Sequence, residues 1–235
     1  IRWRRNHDTV ITICQSGLFG FSPMETDSEY SNQACERPGG LTITRRATEF
    51  CGFPPGARII DVGCGSGLTV EFLREKYGLE ATGIDINATG ENSHLRAAQA
   101  RQLPFEPYSA DGVFMECSLS LFNDQEAALS ECFRVLKPGG WLIVSDMYAR
   151  GEAVRLTGPL GRIERRETIE KLVSYHGFTV KLWKDFSQYL MAWWGQMIMD
   201  QKMESFFNSS GCSPESLKRV KAGYFLMIAS KPVYR

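Results

Sequence analysis

The chain has 235 residues, 43% hydrophobic and 23% charged, enough to bury one substantial core in a globular domain. Lysine plus arginine equals aspartate plus glutamate at 27 each, so the summed field offers no general attraction for a polyanion; nucleic acid and anionic membrane are disfavoured as partners. No apolar run reaches the roughly 18 residues that span a bilayer, and seven cysteines scattered without metal-ligand spacing predict reduced thiols in a cytoplasmic protein with no metal site.

Residues 1–37 read as an N-terminal extension. Its apolar stretch, Val10 to Phe21, is interrupted by Thr12, Cys14, Gln15, Ser16 and Gly17, and no small-residue cleavage site follows the flank of Arg2, Arg4 and Arg5. Met24 opens a polar stretch resembling an ordinary start, so residues 1–23 are set aside from the fold as a candidate non-native segment. Residues 38–235 form a single predicted domain.

Leu41–Cys51 places apolar residues at 43, 47 and 50, one helical face, until Gly52 and Pro54–Pro55–Gly56 stop it. Arg58–Val62 is a short apolar strand running into Gly63–Cys64–Gly65–Ser66–Gly67, and Leu68 to Tyr77 regains helical spacing. A second strand, Glu80 to Ile84, ends at Asp85. Asn87 to Arg101 is helix-compatible in part, and Leu103–Pro104–Phe105 punctuates it before a strand over Gly112–Met115. A helix from Gln125 to Leu136 stops at Lys137–Pro138–Gly139–Gly140, where proline cannot continue a helix and glycine tolerates positive φ. Trp141–Ser145 is then a buried strand. This alternation implies right-handed βαβ units and a parallel sheet.

The last third predicts a helix over Ile163–Tyr175 and strands over Phe178–Trp183 and Tyr224–Ser230. Between those strands lies a helical insertion, Lys184–Ala222, rich in methionine and aromatic residues, including Met191, Trp193 and Trp194. It reads as packing surface or as a lid over a substrate pocket. The basic groups Arg162, Arg165, Arg166 and Lys218, Arg219, Lys221 are short and interrupted, and read as solvated surface. The pattern leaves oligomeric state open.

The glycine loop carries the chemistry. A dinucleotide-binding turn shows G-x-G-x-x-G, whereas here the spacing is Gly63-x-Gly65-x-Gly67 and Leu68 stands where the third glycine belongs. Asp61 introduces the loop. A carboxylate there is awkward beside a dianionic pyrophosphate but suits a cofactor bearing an ammonium and a sulfonium, which points away from dinucleotides and toward S-adenosylmethionine. Asp85, at the carboxyl end of the next strand, is placed to accept two ribose hydroxyl hydrogen bonds, a role common to both cofactors.

With the pieces IIDVGCGSG, GIDI, LPFEPYSADGVF, ECSLSLFND and ECFRVLKPGGWLIVSDMY, the chain resembles the class I S-adenosylmethionine-dependent methyltransferases, in their small-molecule, type 11-like branch, over roughly Ile59 to Tyr148. The resemblance implies a Rossmann-like α/β fold: a mostly parallel seven-stranded sheet with an antiparallel last strand, helices on both faces, and the helical insertion before that strand. It implies that Asp61, Gly63, Cys64 and Gly65 line the methionine end of the cofactor, with Gly67 also in the binding loop, that Asp85 binds ribose and that Ile86 packs on adenine. The backbone around Glu116 and Cys117 would face the amino acid moiety, and the loop at Gly39 reads either as bringing backbone amides to the cofactor carboxylate or as an ordinary helix entry. Family members place an aspartate where this chain has Gln99, beside Ala100, and the amide oxygen can still accept from adenine. The short interval between Asp85 and Gln99 predicts a reduced sheet edge.

Methyl transfer from a sulfonium to a small-molecule acceptor is an in-line displacement, so the protein mainly supplies alignment, with a base only where the nucleophile must lose a proton. Candidates at the strand ends are Glu116, Asp146 and Tyr148, each equally explicable as a cap or loop hydrogen bond; His94 and His176 are less well placed, His176 as a helix C-terminal residue. Three alternatives stay open: a nicotinamide-dependent oxidoreductase, a degenerate S-adenosylmethionine-binding protein without catalysis, and a metalloid methyltransferase in which Cys35, Cys117 and Cys212 converge on arsenite.

Overall fold

The computed structural model describes residues 37–89, 92–156 and 160–233; the stretch Val10–Phe21, the Arg2–Arg5 flank and Cys35 lie outside them. In chain order the elements are α1 (Gly40–Cys51), β1 (Arg58–Val62), α2 (Leu68–Tyr77), β2 (Glu80–Asp85), β3 (Leu95–Ala97) and β4 (Ala110–Glu116). A 3₁₀ turn (Leu119–Leu121), α3 (Gln125–Val135), β5 (Leu136–Ala149), β6 (Val154–Arg155), β7 (Arg162–Ile163) and α4 (Arg166–Tyr175) follow. The chain closes with β8 (Thr179–Asp185), α5 (Ser187–Met199), α6 (Met203–Ser210), α7 (Pro214–Val220) and β9 (Ala222–Ser230).

The sheet has seven strands in the order β3-β2-β1-β4-β5-β9-β8. The first five pair in parallel, and β9 runs antiparallel to both β5 and β8. The expected mostly parallel sheet with an antiparallel last strand is therefore present, and α5 to α7 fill the insertion before that strand.

Alternation along the central strands divides the core in two. Ile59, Phe114, Ile143, Met147, Leu226 and Ile228 pack on one face with residues of α1, α2 and α5. Ile60, Val62, Val113, Met115, Leu142 and Val144 pack on the other with residues of α3 and α4. The same parity places Asp61 and Glu116 on the α1 face but Asp146 and Tyr148 on the α3 face, so the candidate acids are split before any tertiary detail is considered.

Two expectations are corrected, and the predicted reduced sheet edge is present. The helix expected from Ile163 starts at Arg166, because Arg162–Ile163 pairs with Val154–Arg155 as a two-stranded hairpin and Ile163 is fully buried. Lys137–Gly140 does stop α3, yet it forms a bulge within β5: Leu136 pairs with Ala110 and the ladder resumes at Trp141 opposite Gly112. Between β2 and β3 the described residues contain no helix, and β3 has only three residues, so the shortened interval is met by a turn.

The Leu103–Phe105 turn is clamped from α3. Glu131 accepts from the Leu103 N–H (2.7 Å) and from Arg134 Nε (2.6 Å), while Arg134 donates to the carbonyls of Phe105 (2.8 Å) and Leu103 (3.0 Å). Arg134→Ala removes the donor of both carbonyl bonds and is expected to lower unfolding free energy by about 2 kcal/mol in denaturant titration; a value within ~0.5 kcal/mol of wild type would mean that solvent replaces the clamp.

Candidate functional site: the carboxyl edge of β1, β2 and β4

The glycine loop joins β1 to α2 with Gly63, Gly65 and Gly67 all at positive φ (80°, 52° and 88°). Their surroundings differ. A Cβ on Gly63 would meet the Ser118 side chain at 2.4 Å and one on Gly67 would meet Leu95 at 2.9 Å, whereas at Gly65 nothing lies within 4 Å. Gly63 and Gly67 are thus demanded by packing, and Gly65 opens onto free space. Gly67 also caps α2, so the helix opens at Leu68, with no third glycine. Cys64 turns its Sγ toward Gly83 and Leu95, leaving its backbone as its contribution to the loop.

Asp85 ends β2 with its carboxylate held across the loop: Gly65 N–H donates to Oδ2 (3.1 Å) and Asn87 N–H to Oδ1 (2.9 Å). Beside it, Ile86, Gln99, Ala100, Leu121 and Phe122 wall a largely apolar recess of about 520 Å³, and Ile86 is 70% exposed. Gln99 Oε1 accepts from Arg101 Nε at 2.6 Å, so an adenine amino group would use that oxygen's second lone pair. Leu121 and Phe122 escaped the sequence reading because they reach the recess only through the 3₁₀ turn after β4.

Asp61 is 3% exposed, and its carboxylate accepts no hydrogen bond among the described residues. Burial, reinforced by the Glu116 carboxylate and opposed by Arg37, pushes it up to about 8. A buried acid with no hydrogen-bond donor calls for a cationic group, and the open space at Gly65 lies along the same loop.

Glu116 is not free to act as a base. Its carboxylate accepts from Arg37 (2.8 Å), from Thr44 (2.9 and 3.0 Å to its two oxygens) and from Thr69 (2.9 Å). Arg37 also donates to both threonine hydroxyls. This cluster ties the entry of α1 and the first turn of α2 to the end of β4. Its members Arg37, Thr44 and Thr69 went unrecognised as a unit because their sequence separations exceed any local pattern. Gly39, at φ 74°, lies just before α1, where a Cβ would meet Ile43 at 2.6 Å and the Tyr189 ring of α5 at 3.2 Å. The Pro38–Gly40 loop therefore lies against the insertion.

Cys117 adopts positive φ (53°), unusual for a residue with a side chain, directly after β4. Its N–H donates to the Ser145 carbonyl (2.7 Å) and its Sγ contacts Tyr224 Oη at 3.0 Å. Burial pushes the thiol up to about 12. Cys212 is buried in the insertion, and among the described residues no group of three or more His, Cys, Asp and Glu side chains has metal-holding geometry.

Asp146 and Tyr148 are also committed. Asp146 accepts from the Ser120 N–H (3.0 Å), the Ser120 hydroxyl (3.1 Å) and the Met147 N–H (2.8 Å), pinning the 3₁₀ turn to β5; burial pushes it up to about 6 against those bonds. Tyr148 donates to Asp185, and burial together with that carboxylate pushes the phenol up to about 12. His176 caps α4 and meets Ser130 through Nδ1, while His94 serves through its backbone carbonyl to Gly83 N–H. The structure thus brings together the cofactor-binding candidates around one edge but does not bring together the three candidate bases.

Residues 60–144 match the family model described as a methyltransferase domain. An O-methyltransferase of Pyrenophora dematioidea is 30% identical over 159 residues, covering 60% of this chain and 58% of its own length. The chain spans a little over half the length of the curated relatives it matches. Among solved structures, the [4+2]-cyclase SpnF superposes with TM-score 0.66 at 23% identity, covering 82% of this chain and 81% of its own. Haemonchus contortus phosphoethanolamine N-methyltransferase 2, in complex with S-adenosylmethionine, superposes with TM-score 0.62 at 19% identity, covering 83% and 54%.

The fold is that of the class I S-adenosylmethionine-dependent methyltransferases. Residues 60–144 carry the match to a methyltransferase domain, and the Haemonchus contortus neighbour was solved in complex with S-adenosylmethionine. That match, with the buried Asp61 beside the glycine loop, disfavours the nicotinamide reading. Among the described residues, no helix is long and apolar enough to cross a membrane.

Proposed function

We propose that this chain binds S-adenosylmethionine across the carboxyl edge of β1, β2 and β4 and methylates a small-molecule acceptor. The carrying observation is the pairing of a buried Asp61 carboxylate, without a hydrogen-bond donor among the described residues, with the open space at Gly65. In this reading Asp61 faces the cofactor's ammonium, the loop from Gly63 to Gly67 lies along its methionine end, Asp85 receives the ribose hydroxyls, and Ile86, Gln99, Ala100 and Phe122 enclose the adenine. When bound, the cofactor supplies an electrophilic methyl carbon. The chain's own residues hold the acceptor in line and keep water out. The Pro38–Gly40 loop, packed on Tyr189, and the insertion are the surfaces that would enclose it. The relative named an O-methyltransferase supports methyl transfer, and the five described cysteines, all unpaired, support a reducing, cytoplasmic setting.

Calorimetric titration with S-adenosylmethionine tests the reading. Saturable binding is expected for wild type. It should vanish in Gly65→Arg, which fills the open space, and weaken at least about 100-fold in Asp85→Ala, which removes two charge-assisted bonds. No binding by folded wild type would overturn the assignment.

A second reading, cofactor binding without methyl transfer, is favoured by the engagement of Glu116 and Tyr148 in protein hydrogen bonds and by likeness to a fold neighbour named as a cyclase. Formation of S-adenosylhomocysteine with any member of an acceptor panel decides for transfer; tight cofactor binding with none formed decides for the second reading.

A further inference from the structure

Basic residues that read in sequence as separate solvated runs converge in the fold. Arg150, Arg165, Arg166, Arg219 and Lys221 surround a concavity of about 790 Å³ at the far end of β5, with Glu152 and Glu167 as its only carboxylates. The chain as a whole has a formal net charge of zero, so five cations against two acids in one hollow is a local concentration rather than a share of a basic surface.

Two of the guanidiniums are fixed by backbone carbonyls, and Arg150 also feels the Asp185 carboxylate that Tyr148 bonds. Arg150 donates through Nε to the Lys221 carbonyl and through Nη2 to the Ala222 carbonyl (both 3.1 Å), and Arg165 Nε donates to the Gly151 carbonyl (3.0 Å). A carbonyl orients a guanidinium but leaves its charge in place. Arg166 differs, pairing with Glu170 and lying over the Trp183 ring. Neither Glu152 nor Glu167 forms an ion pair among the described residues, nor do Arg219 and Lys221. Arg150 stands five residues beyond Ser145, whose carbonyl meets Cys117 at the cofactor edge. At the rise of an extended strand this is about 16 Å away, and neither the glycine loop nor Asp85 nor the recess beside Ile86 and Gln99 contributes a residue to this hollow.

We propose that this concavity is an anion site for the phosphoryl group of a small phosphorylated ligand. Cations arriving from three chain segments match a multiply charged group with oxygens on several sides, whereas a single carboxylate is satisfied by one guanidinium fork. The site stands on these contacts alone, independently of the methyl-transfer reading.

Inorganic pyrophosphate is the probe, titrated calorimetrically into the full chain. One saturable site is expected, with affinity falling as sodium chloride is raised. Arg219→Gln combined with Lys221→Gln removes two cations whose side chains form no hydrogen bond or ion pair among the described residues, so Tm should be unchanged while affinity drops about tenfold. Arg150→Gln combined with Arg165→Gln should abolish binding. Cosedimentation with phosphatidylcholine vesicles containing phosphatidic acid separates the sources: vesicle binding alongside pyrophosphate binding, with the same residue dependence, assigns the phosphoryl group to a lipid headgroup, and pyrophosphate binding alone assigns it to a soluble ester. Absent pyrophosphate binding, affinity equal to wild type in both double variants, or vesicle binding without pyrophosphate binding overturns the site.

Discussion

Glu116→Ala is expected to cost about 3–5 kcal/mol of unfolding free energy, because removing one member of a buried ion pair strands its partner's charge. The Glu116 side chain is 2% exposed and that of Arg37 17%, so water cannot restore what the carboxylate provides. Thr44 both accepts from Arg37 and donates to Glu116, which makes the cluster a unit. Thr44→Val should therefore cost about 1–2 kcal/mol in wild type and much less once Glu116 is gone, a non-additivity measurable by a double-mutant cycle in guanidinium chloride. Against a typical total of about 5–15 kcal/mol, the alanine variant sits near the edge of stability. Glu116→Gln, which keeps the shape and loses the charge, should retain the fold and report on function instead. If the cluster holds the α1 entry over the cofactor edge, that variant binds S-adenosylmethionine several-fold more weakly. An alanine variant within ~1 kcal/mol of wild type would show that the cluster is solvated rather than structural.

The parallel sheet, both glycine-flanked helices and the antiparallel last strand were legible because local signals agreed: apolar runs ended in glycine or an acid, and helices closed on Gly52, Gly78 or Lys137–Pro138. The positions of Asp61 and Asp85 near the ends of β1 and β2, with Gly65 in the loop between β1 and α2, were equally legible, since one βαβ unit fixes their spacing. What the sequence hid depends on pairs distant along the chain. Arg37 and Glu116 are 79 residues apart and Tyr148 and Asp185 are 37 apart, and no periodicity links them. The partners of the candidate bases were hidden for that reason: each carboxylate or phenol stands at a strand end as expected, and residues of other elements consume its hydrogen-bonding capacity, in line with the cap or loop role that was its other reading. The β6–β7 hairpin was missed because strands of two residues carry no alternation, and Ile163 fits a helical face as well as a strand.

Cofactor binding is expected to be coupled to proton exchange at Asp61. Its raised value, about 8, means that the cofactor-free fold holds a proton that the unfolded chain releases near pH 4. The stability of the cofactor-free protein should accordingly fall as pH rises from about 4 to about 8 and level off above, since the native state is the one binding the extra proton across that window. An ammonium placed against the carboxylate reverses the preference and expels the proton. Titrated at pH 6 in buffers of different ionisation enthalpy, S-adenosylmethionine should release close to one proton per site, and its affinity should rise about tenfold per pH unit toward pH 8. Above that the ligand's own α-amino group, which ordinarily titrates at about 7.7–8.0, has lost its proton, so one is taken up on binding and the affinity falls again. Asp61→Asn should abolish the acid limb while keeping the alkaline one. Observed enthalpies at pH 6 that are identical in phosphate and Tris for wild type would mean that the ammonium sits elsewhere, and the open space at Gly65 would have to receive another part of the cofactor.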